Sequence, residues 1–330
     1  MQQYHNLDRD YPLISICMPI YNRPALLKNA LDHVIAQSYK NIEIIVSDDC
    51  SPNEKVRCVL REYAKQDKRI KPFYQEKNLG ALPNQEFAIE QASGEYIMIH
   101  SEDDYVEKDY IKTCYEFLSS HPDYSMACGT CISEKFDLRG NQLKNVSKYP
   151  VDDPRLLEVS SAKKRYINLF SNLKNYYLFS GLIRKRTYTS IHQYKSLGHD
   201  LIYLSGIAYT GKIAIINKSD SGFHRGGVVG TNKDFIKLLG LLPIERYFPH
   251  TRLIIYSVLD ILFLGDIYKN MGIIKRFFFA SRVFFIALYV LSFRYIKRES
   301  IYYSCICLKK ILPSSAYEKL QKLYNYSNKK

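Results

Sequence analysis

Leu13-Ile-Ser-Ile-Cys-Met-Pro-Ile20, the turn Tyr21-Asn-Arg-Pro24 and then Ile42-Glu-Ile-Ile-Val-Ser-Asp-Asp49 form the stretch from which the architecture follows. The first eight residues are a short, mostly apolar run that reads as a buried strand. Pro24 opens a helix in which Leu27, Ala30, Leu31, Val34 and Ile35 recur at i, i+3, i+4 spacing. A second strand over residues 42–47 ends in Asp48 and Asp49, and Ser51-Pro-Asn53 breaks the chain before a helix through Tyr63. The unit repeats, with a strand at 70–75, a helix at 83–92, and a Gly94-Glu95 turn into the apolar run 96–100. Alternation at this pace predicts an α/β fold, a mainly parallel sheet with helices on both faces.

Ligands of such sheets bind at the carboxyl ends of the strands. The residues just after each run are therefore the candidates: Tyr21, Asn22 and Arg23, then Asp48 and Asp49, then Glu102, Asp103 and Asp104. Three successive carboxylates repel one another unless a cation or hydrogen-bond donors compensate. A divalent ion held by one or two carboxylates and completed by substrate phosphates fits, and so does a solvated acidic turn capping a helix from Lys108 onward.

The chain has 330 residues, long enough for one large or two ordinary domains. An apolar fraction of 46% and a charged fraction of 24% exclude wholesale disorder. The net charge of +14 calls for an anionic partner, and its distribution narrows the choice. Residues 231–330 carry 17 Lys/Arg against 6 Asp/Glu, leaving 30 against 27 in residues 1–230. The eight cysteines show no disulfide spacing, the pair Cys128 and Cys131 lacks a second pair for zinc, and the first ten residues are polar and charged. These point to a reduced, cytoplasmic chain.

Six blocks, taken in order, resemble glycosyltransferase family 2, whose members are inverting enzymes of the GT-A (Rossmann-like) fold. They are Ile16-Cys-Met-Pro-Ile-Tyr-Asn-Arg23, Ala36-Gln-Ser-Tyr39, Glu43-Ile-Ile-Val-Ser-Asp-Asp-Cys-Ser51, Asn78-Leu-Gly80 with Asn84, Ala92-Ser-Gly-Glu-Tyr-Ile97, and Ser101-Glu-Asp-Asp104 in place of the DxD motif. The resemblance implies that Asp49, with Asp48 beside it, lies near the donor base, and that Tyr21 and Arg23 line the nucleotide pocket with Pro19, Asn78, Gly80 and Glu102. It makes Asp103 the principal ligand of Mn²⁺ or Mg²⁺, flanked by Glu102 and Asp104. Where the family commonly has an acidic residue, this chain has Ser101, so Glu102 stands in as the first carboxylate of the motif.

In the second half, Gly198-His-Asp200 resembles the family segment in which an acidic residue opens a helix beneath the acceptor. Asp200 is the expected general base and His199 the alternate, although the same position suits a simple helix cap. Ser221-Gly-Phe-His-Arg-Gly-Gly227 resembles a loop that closes over the donor diphosphate, with His224 as a further metal ligand and Arg225 on phosphate.

These residues divide the chain into a GT-A domain at 1–230, with a nucleotide half at about 11–122 and an acceptor half at about 123–230, and a basic, aromatic-rich helical tail at 231–330. In the tail, residues 277–293 carry Arg282 as their only charge and have basic residues on both flanks. That suits a helix lying in the headgroup region of an anionic membrane better than one crossing it. The expected activity is metal-dependent, inverting transfer from a nucleotide-diphosphate sugar, with UDP-sugars favoured. The expected acceptor is a lipid-linked saccharide of bacterial surface-polysaccharide or O-antigen type, reached from the inner face of the cytoplasmic membrane. A sugar-phosphate nucleotidyltransferase would use similar carboxylates, but the Lys-containing phosphate loop it needs is not visible near the N-terminus. A nucleic-acid-binding protein would use the basic tail, but here the basic residues interleave with long apolar runs.

Overall fold

The computed structural model describes residues 11–136, 142–149, 153–171, 178–196, 198–224 and 250–293. Its strands are β1 (Ile14–Ile20), β2 (Ile42–Asp48), β3 (Ile70–Tyr74), β4 (Tyr96–Ile99), β5 (Asp104–Val106), β6 (Tyr124–Phe136), β7 (Gln142–Tyr149), β8 (Leu182–Arg184) and β9 (Lys212–His224). They form one sheet in the order β3-β2-β1-β4-β8-β6-β9-β5, with β7 beside β6. The first four are parallel, as expected, and β6 pairs with β9 in parallel. Strand β8 enters antiparallel between β4 and β6, which makes the sheet mixed.

The helices are α1 (Pro24–Ile35), α2 (Glu54–Gln66), α3 (Ala81–Glu90), α4 (Tyr110–Ser120), α5 (Ala162–Phe170), α6 (Lys185–Thr189), α7 (His199–Thr210), α8 (Thr251–Leu259) and α9 (Ile273–Ala287). Side chains of a strand alternate between faces. Ile14, Ile16, Met18 and Ile20 accordingly meet α1, α2 and α4 in one core, while Cys17 joins α3, α5 and α7 in a second. Helix α2 starts where Asn53 accepts the Lys55 amide with its side chain. Helix α3 starts two residues earlier than its apolar pattern suggests, because the chain turns sharply at Gly80.

The tail is less separate than its composition implies. Leu253, Ile254, Ile261, Tyr268, Phe279, Ala280, Val283 and Ala287 belong to the second core, with α5 and α7. Asp260 is accepted there because Tyr194 donates its hydroxyl at 2.6 Å, and burial holds the Asp260 carboxyl above its usual range. Among the described residues, no helix is long and apolar enough to cross a membrane. Cys128 is an ordinary buried residue of β6.

Glu43 is the anchor at the amino end of the sheet. It accepts from Ser15 Oγ, from the Ser93 amide and from Lys71 Nζ, each at 2.6 Å, and these donors bring its carboxyl below the usual range despite burial. Gly94 packs on this cluster, and a Cβ there would lie 2.6 Å from Leu13 O and 2.7 Å from Ser15 N, both backbone atoms that cannot rotate away. Gly94→Ala is therefore expected to destabilise the protein by about 3 kcal/mol, the upper part of the overpacking range. Denaturant unfolding checks this, and a loss below roughly 0.5 kcal/mol would contradict the tight packing.

Candidate active site

The loops after β1, β2 and β4 are tied into one rim. The Asn22 amide donates to Ser51 Oγ at 2.8 Å, and the Asp49 amide donates to Ile20 O at 3.0 Å. Both crossings need a left-handed residue, and Asn22 (φ 61°) and Cys50 (φ 57°) supply it. The Tyr21 amide of the first loop donates to Glu102 Oε2 of the third at 3.1 Å, joining β1 to the acidic turn.

Asp49 organises the loop that leads into α3. Its Oδ1 accepts the Leu79 amide at 2.6 Å and its Oδ2 the Gly80 amide at 3.0 Å, while Asn78 Nδ2 donates to Asp49 O at 3.2 Å. Gly80 (φ 90°, ψ 162°) sits in backbone space that is essentially closed to other residues. Burial raises the Asp49 carboxyl, and the two amides oppose that rise. Asp48, expected beside it in the pocket, is instead fully buried. Its Oδ1 accepts the Ser51 amide and its Oδ2 lies 3.7 Å from Arg57 Nε, so it shapes the loop. Pro19 pairs with Ser47 across β1 and β2, and Tyr21 is exposed just after β1.

Glu102, Asp103 and Asp104 do not converge as a ligand set. Glu102 turns inward, where burial pushes its carboxyl up to about 8 against the opposing charge of Arg23, 3.5 Å away. Asp104 is buried in β5, its Oδ2 accepting from Ser180 Oγ at 3.3 Å, and desolvation followed by the charge of Asp103 raises it as well. Only Asp103 looks outward, its Oδ2 accepting from Arg23 Nη1 at 2.8 Å. No group of three His, Cys, Asp or Glu suited to a metal occurs among the described residues. The donor chemistry still fits Mg²⁺ or Mn²⁺, because one outward carboxylate completed by substrate phosphate oxygens is a usual environment for a hard cation.

The raised Glu102 carboxyl gives a pH dependence with a definite sign. Its ordinary value is 4.5, so between about 4.5 and 8 the folded ligand-free protein holds a proton that the unfolded chain releases. That contribution is complete below about 4.5 and is lost as pH rises through 8. Glu102→Gln should therefore become more stable relative to wild type between pH 5 and pH 9. Thermal unfolding of both proteins at the two pH values checks this, and a wild type that gains stability relative to Glu102→Gln from pH 5 to pH 9 would contradict the buried, protonated carboxyl.

In the second half of the sequence, Gly198 (φ 77°) turns the chain into α7 and Asp200 occupies its first turn. Asp200 is half-buried and makes no hydrogen bond or ion pair among the described residues, so its oxygens remain available. His199 is less so, with Nδ1 3.3 Å from Ser196 O. Burial and then the charge of Glu90 hold the Glu86 carboxyl of α3 above its usual range, with His199 and His192 opposing the rise. His224 ends β9. Because Asp104 pairs with Phe223, the backbone of His224 comes one register step on, beside Asp103. Arg225 lies outside the described residues. The pattern of the chain gave no sign of Arg57, Ser180 or Glu86, since each acts through a partner distant in sequence.

The family model for glycosyl transferase family 2 matches residues 15–188. An uncharacterized glycosyltransferase of Haemophilus influenzae is 25% identical over 272 residues, 80% of this chain and 98% of that protein. The GalNAc(5)-diNAcBac-PP-undecaprenol beta-1,3-glucosyltransferase of Campylobacter jejuni is 33% identical over 137 residues, 41% of this chain and 42% of that one. The matched stretch spans only 12% of an uncharacterized protein of Sinorhizobium fredii and 34% of a Streptococcus pneumoniae glycosyltransferase. Among solved structures, S. aureus TarS 1-349 aligns with a TM-score of 0.53 at 16% identity, covering 84% of this chain and 72% of that one, a likeness of fold. The mixed sheet, the rim at its carboxyl edge and a family match over more than half of the sequence agree: this chain belongs to glycosyltransferase family 2 and has its GT-A fold.

Proposed function

We propose that the protein transfers a sugar, with inversion, from a nucleotide-diphosphate sugar to a hydroxyl of a lipid-linked saccharide, and does so from the inner face of a cytoplasmic membrane. The observation that carries this reading is the rim itself. Three loops are locked together so that Asp103, alone of its triplet, faces outward beside Arg23, with the Asp49 loop on one side. The lipid-linked acceptor is supported by the Campylobacter relative, whose name describes an undecaprenol-linked substrate.

The residues divide the chemistry. Asp49 fixes the loop 78–80 that borders the nucleotide, and Arg23 brings a guanidinium whose fork suits phosphate oxygens. Asp103 would hold Mg²⁺ or Mn²⁺, which when bound supplies Lewis-acid stabilisation of the departing diphosphate. Asp200 takes the proton of the acceptor hydroxyl. The acceptor oxygen then bonds to the anomeric carbon from the side opposite the leaving group. The carbon–oxygen bond to the β-phosphate breaks, its electron pair leaves with the nucleoside diphosphate, and the configuration inverts.

A donor panel tests the reading. Purified protein with Mn²⁺ or Mg²⁺ is expected to release nucleoside diphosphate from one nucleotide sugar, with UDP-sugars tried first. Pyrophosphate release from a nucleoside triphosphate and a sugar phosphate, with no nucleotide sugar consumed, would overturn it.

A further inference from the structure

Helix α9 lies on the surface yet is apolar on its outer side as well as on the side it buries. At 3.6 residues per turn successive residues are about 100° apart, and a surface helix ordinarily turns a polar face outward. In α9, Phe279, Ala280, Val283 and Ala287 are already buried in the second core, with Phe279 5.2 Å from the Tyr166 ring. The opposite arc, about 120° wide, should then be polar, yet Ser281 is the one polar residue within it. It carries Ile274, Phe277, Phe278 and Phe285, and after the end of α9 Leu288 and Tyr289, which are 70, 58, 69, 68, 38 and 70% exposed. Phe263 (67%) and Leu264 (45%) extend the apolar surface from the turn 260–264, which Arg276 Nη1 ties to α9 through Leu262 O at 3.2 Å.

We infer that this arc is a membrane-docking face that lies flat in the headgroup region of an anionic bilayer. The charges decide among occupants. Helix α9 has Lys275, Arg276 and Arg282 and no acidic residue. Lys275 and Arg282 sit at one edge of the apolar arc, exposed and without an ion pair among the described residues. Long basic side chains flanking a broad aromatic face match anionic headgroups above acyl chains. A second copy of the chain docked face to face would set these cations against their own kind. The opposite side of α9 is built into the domain core, so the docking face is rigidly coupled to the catalytic sheet, as the proposed lipid-linked acceptor requires.

The full chain is mixed with vesicles of phosphatidylcholine containing about a third phosphatidylglycerol, or of phosphatidylcholine alone, and the bound fraction is read by flotation. Wild type is expected on the anionic vesicles, with binding reduced on neutral ones and as salt rises from about 0.1 to about 0.5 M. The triple variant Phe277→Asp, Phe278→Asp, Phe285→Asp should bind at least tenfold less. Lys275→Glu with Arg282→Glu should lose roughly tenfold, and because it keeps every apolar side chain it remains informative if the triple variant is insoluble. Absence of wild-type flotation, equal flotation of both variants, or a wild-type dimer in which α9 is protected from solvent exchange would each overturn the assignment. Donor turnover without vesicles is expected to be unchanged in both variants. A protein that turns over donor but does not float therefore refutes the docking face alone, and one that floats without turnover refutes the transferase reading alone.

Discussion

Asp103→Ala is expected to lower sugar transfer by about 10³-fold or more while leaving the fold intact. The leaving nucleoside diphosphate gains negative charge as the glycosidic bond breaks, and a single preorganised stabiliser of such charge is worth about 10²–10³ in rate. Asp103 is the outward carboxylate of the acidic turn, so its loss removes the cation anchor as well. Stability should fall by no more than about 1 kcal/mol, because Arg23 retains Glu102 3.5 Å away and Asp103 is only partly buried. Nucleoside diphosphate release at saturating Mn²⁺ measures the rate, and titration calorimetry measures the loss of Mn²⁺ binding in the presence of nucleoside diphosphate. Activity above a few per cent of wild type, or undiminished Mn²⁺ affinity, would count heavily against Asp103 as the anchor.

Asp200→Asn should reduce kcat by about 10²–10⁴-fold, the range for a lost general base, with the donor KM within a few-fold of wild type. The substitution keeps size and hydrogen-bonding capacity at the start of α7 but removes the proton acceptor. The competing role of Asp200 is to complement the helix terminus, worth about 0.3–1 kcal/mol. In that case Asp200→Asn would trim stability and leave kcat unchanged. His199→Gln separates the two candidates: with Nδ1 close to Ser196 O, His199 should matter less, and a larger kcat loss there than at Asp200 would exchange their roles.

Much of the fold of residues 11–122 was legible because its signals are local. The run 13–20, the helical spacing from Leu27 to Ile35 and the acid pair after β2 each lie within a few residues, and parallel strands place their exits on one edge. The mixed sheet was not legible, because β8 has three residues and its antiparallel place between β4 and β6 is decided by pairing across long separations. The site was legible as a set of residues but not as a geometry. Asp48, Glu102 and Asp104 share with Asp49 and Asp103 a place at strand ends, yet Ser51 and Arg57, Tyr21 and Arg23, and Ser180 turn them inward.

The tail shows the same division. Its composition alone set aromatic and basic residues together in residues 231–330. Which side of α9 would be covered depended on Tyr166, Tyr209 and Tyr268 rising from other elements to meet Phe279. The sequence by itself determined the order of strands and helices, the edge on which polar residues gather, and the excess of positive charge, since all three follow from periodicity and composition along the chain. Only the tertiary structure decided which carboxylate faces outward and which aromatic rings remain exposed. A side chain's direction depends on the donors and apolar surfaces that folding brings to it from residues far away in sequence.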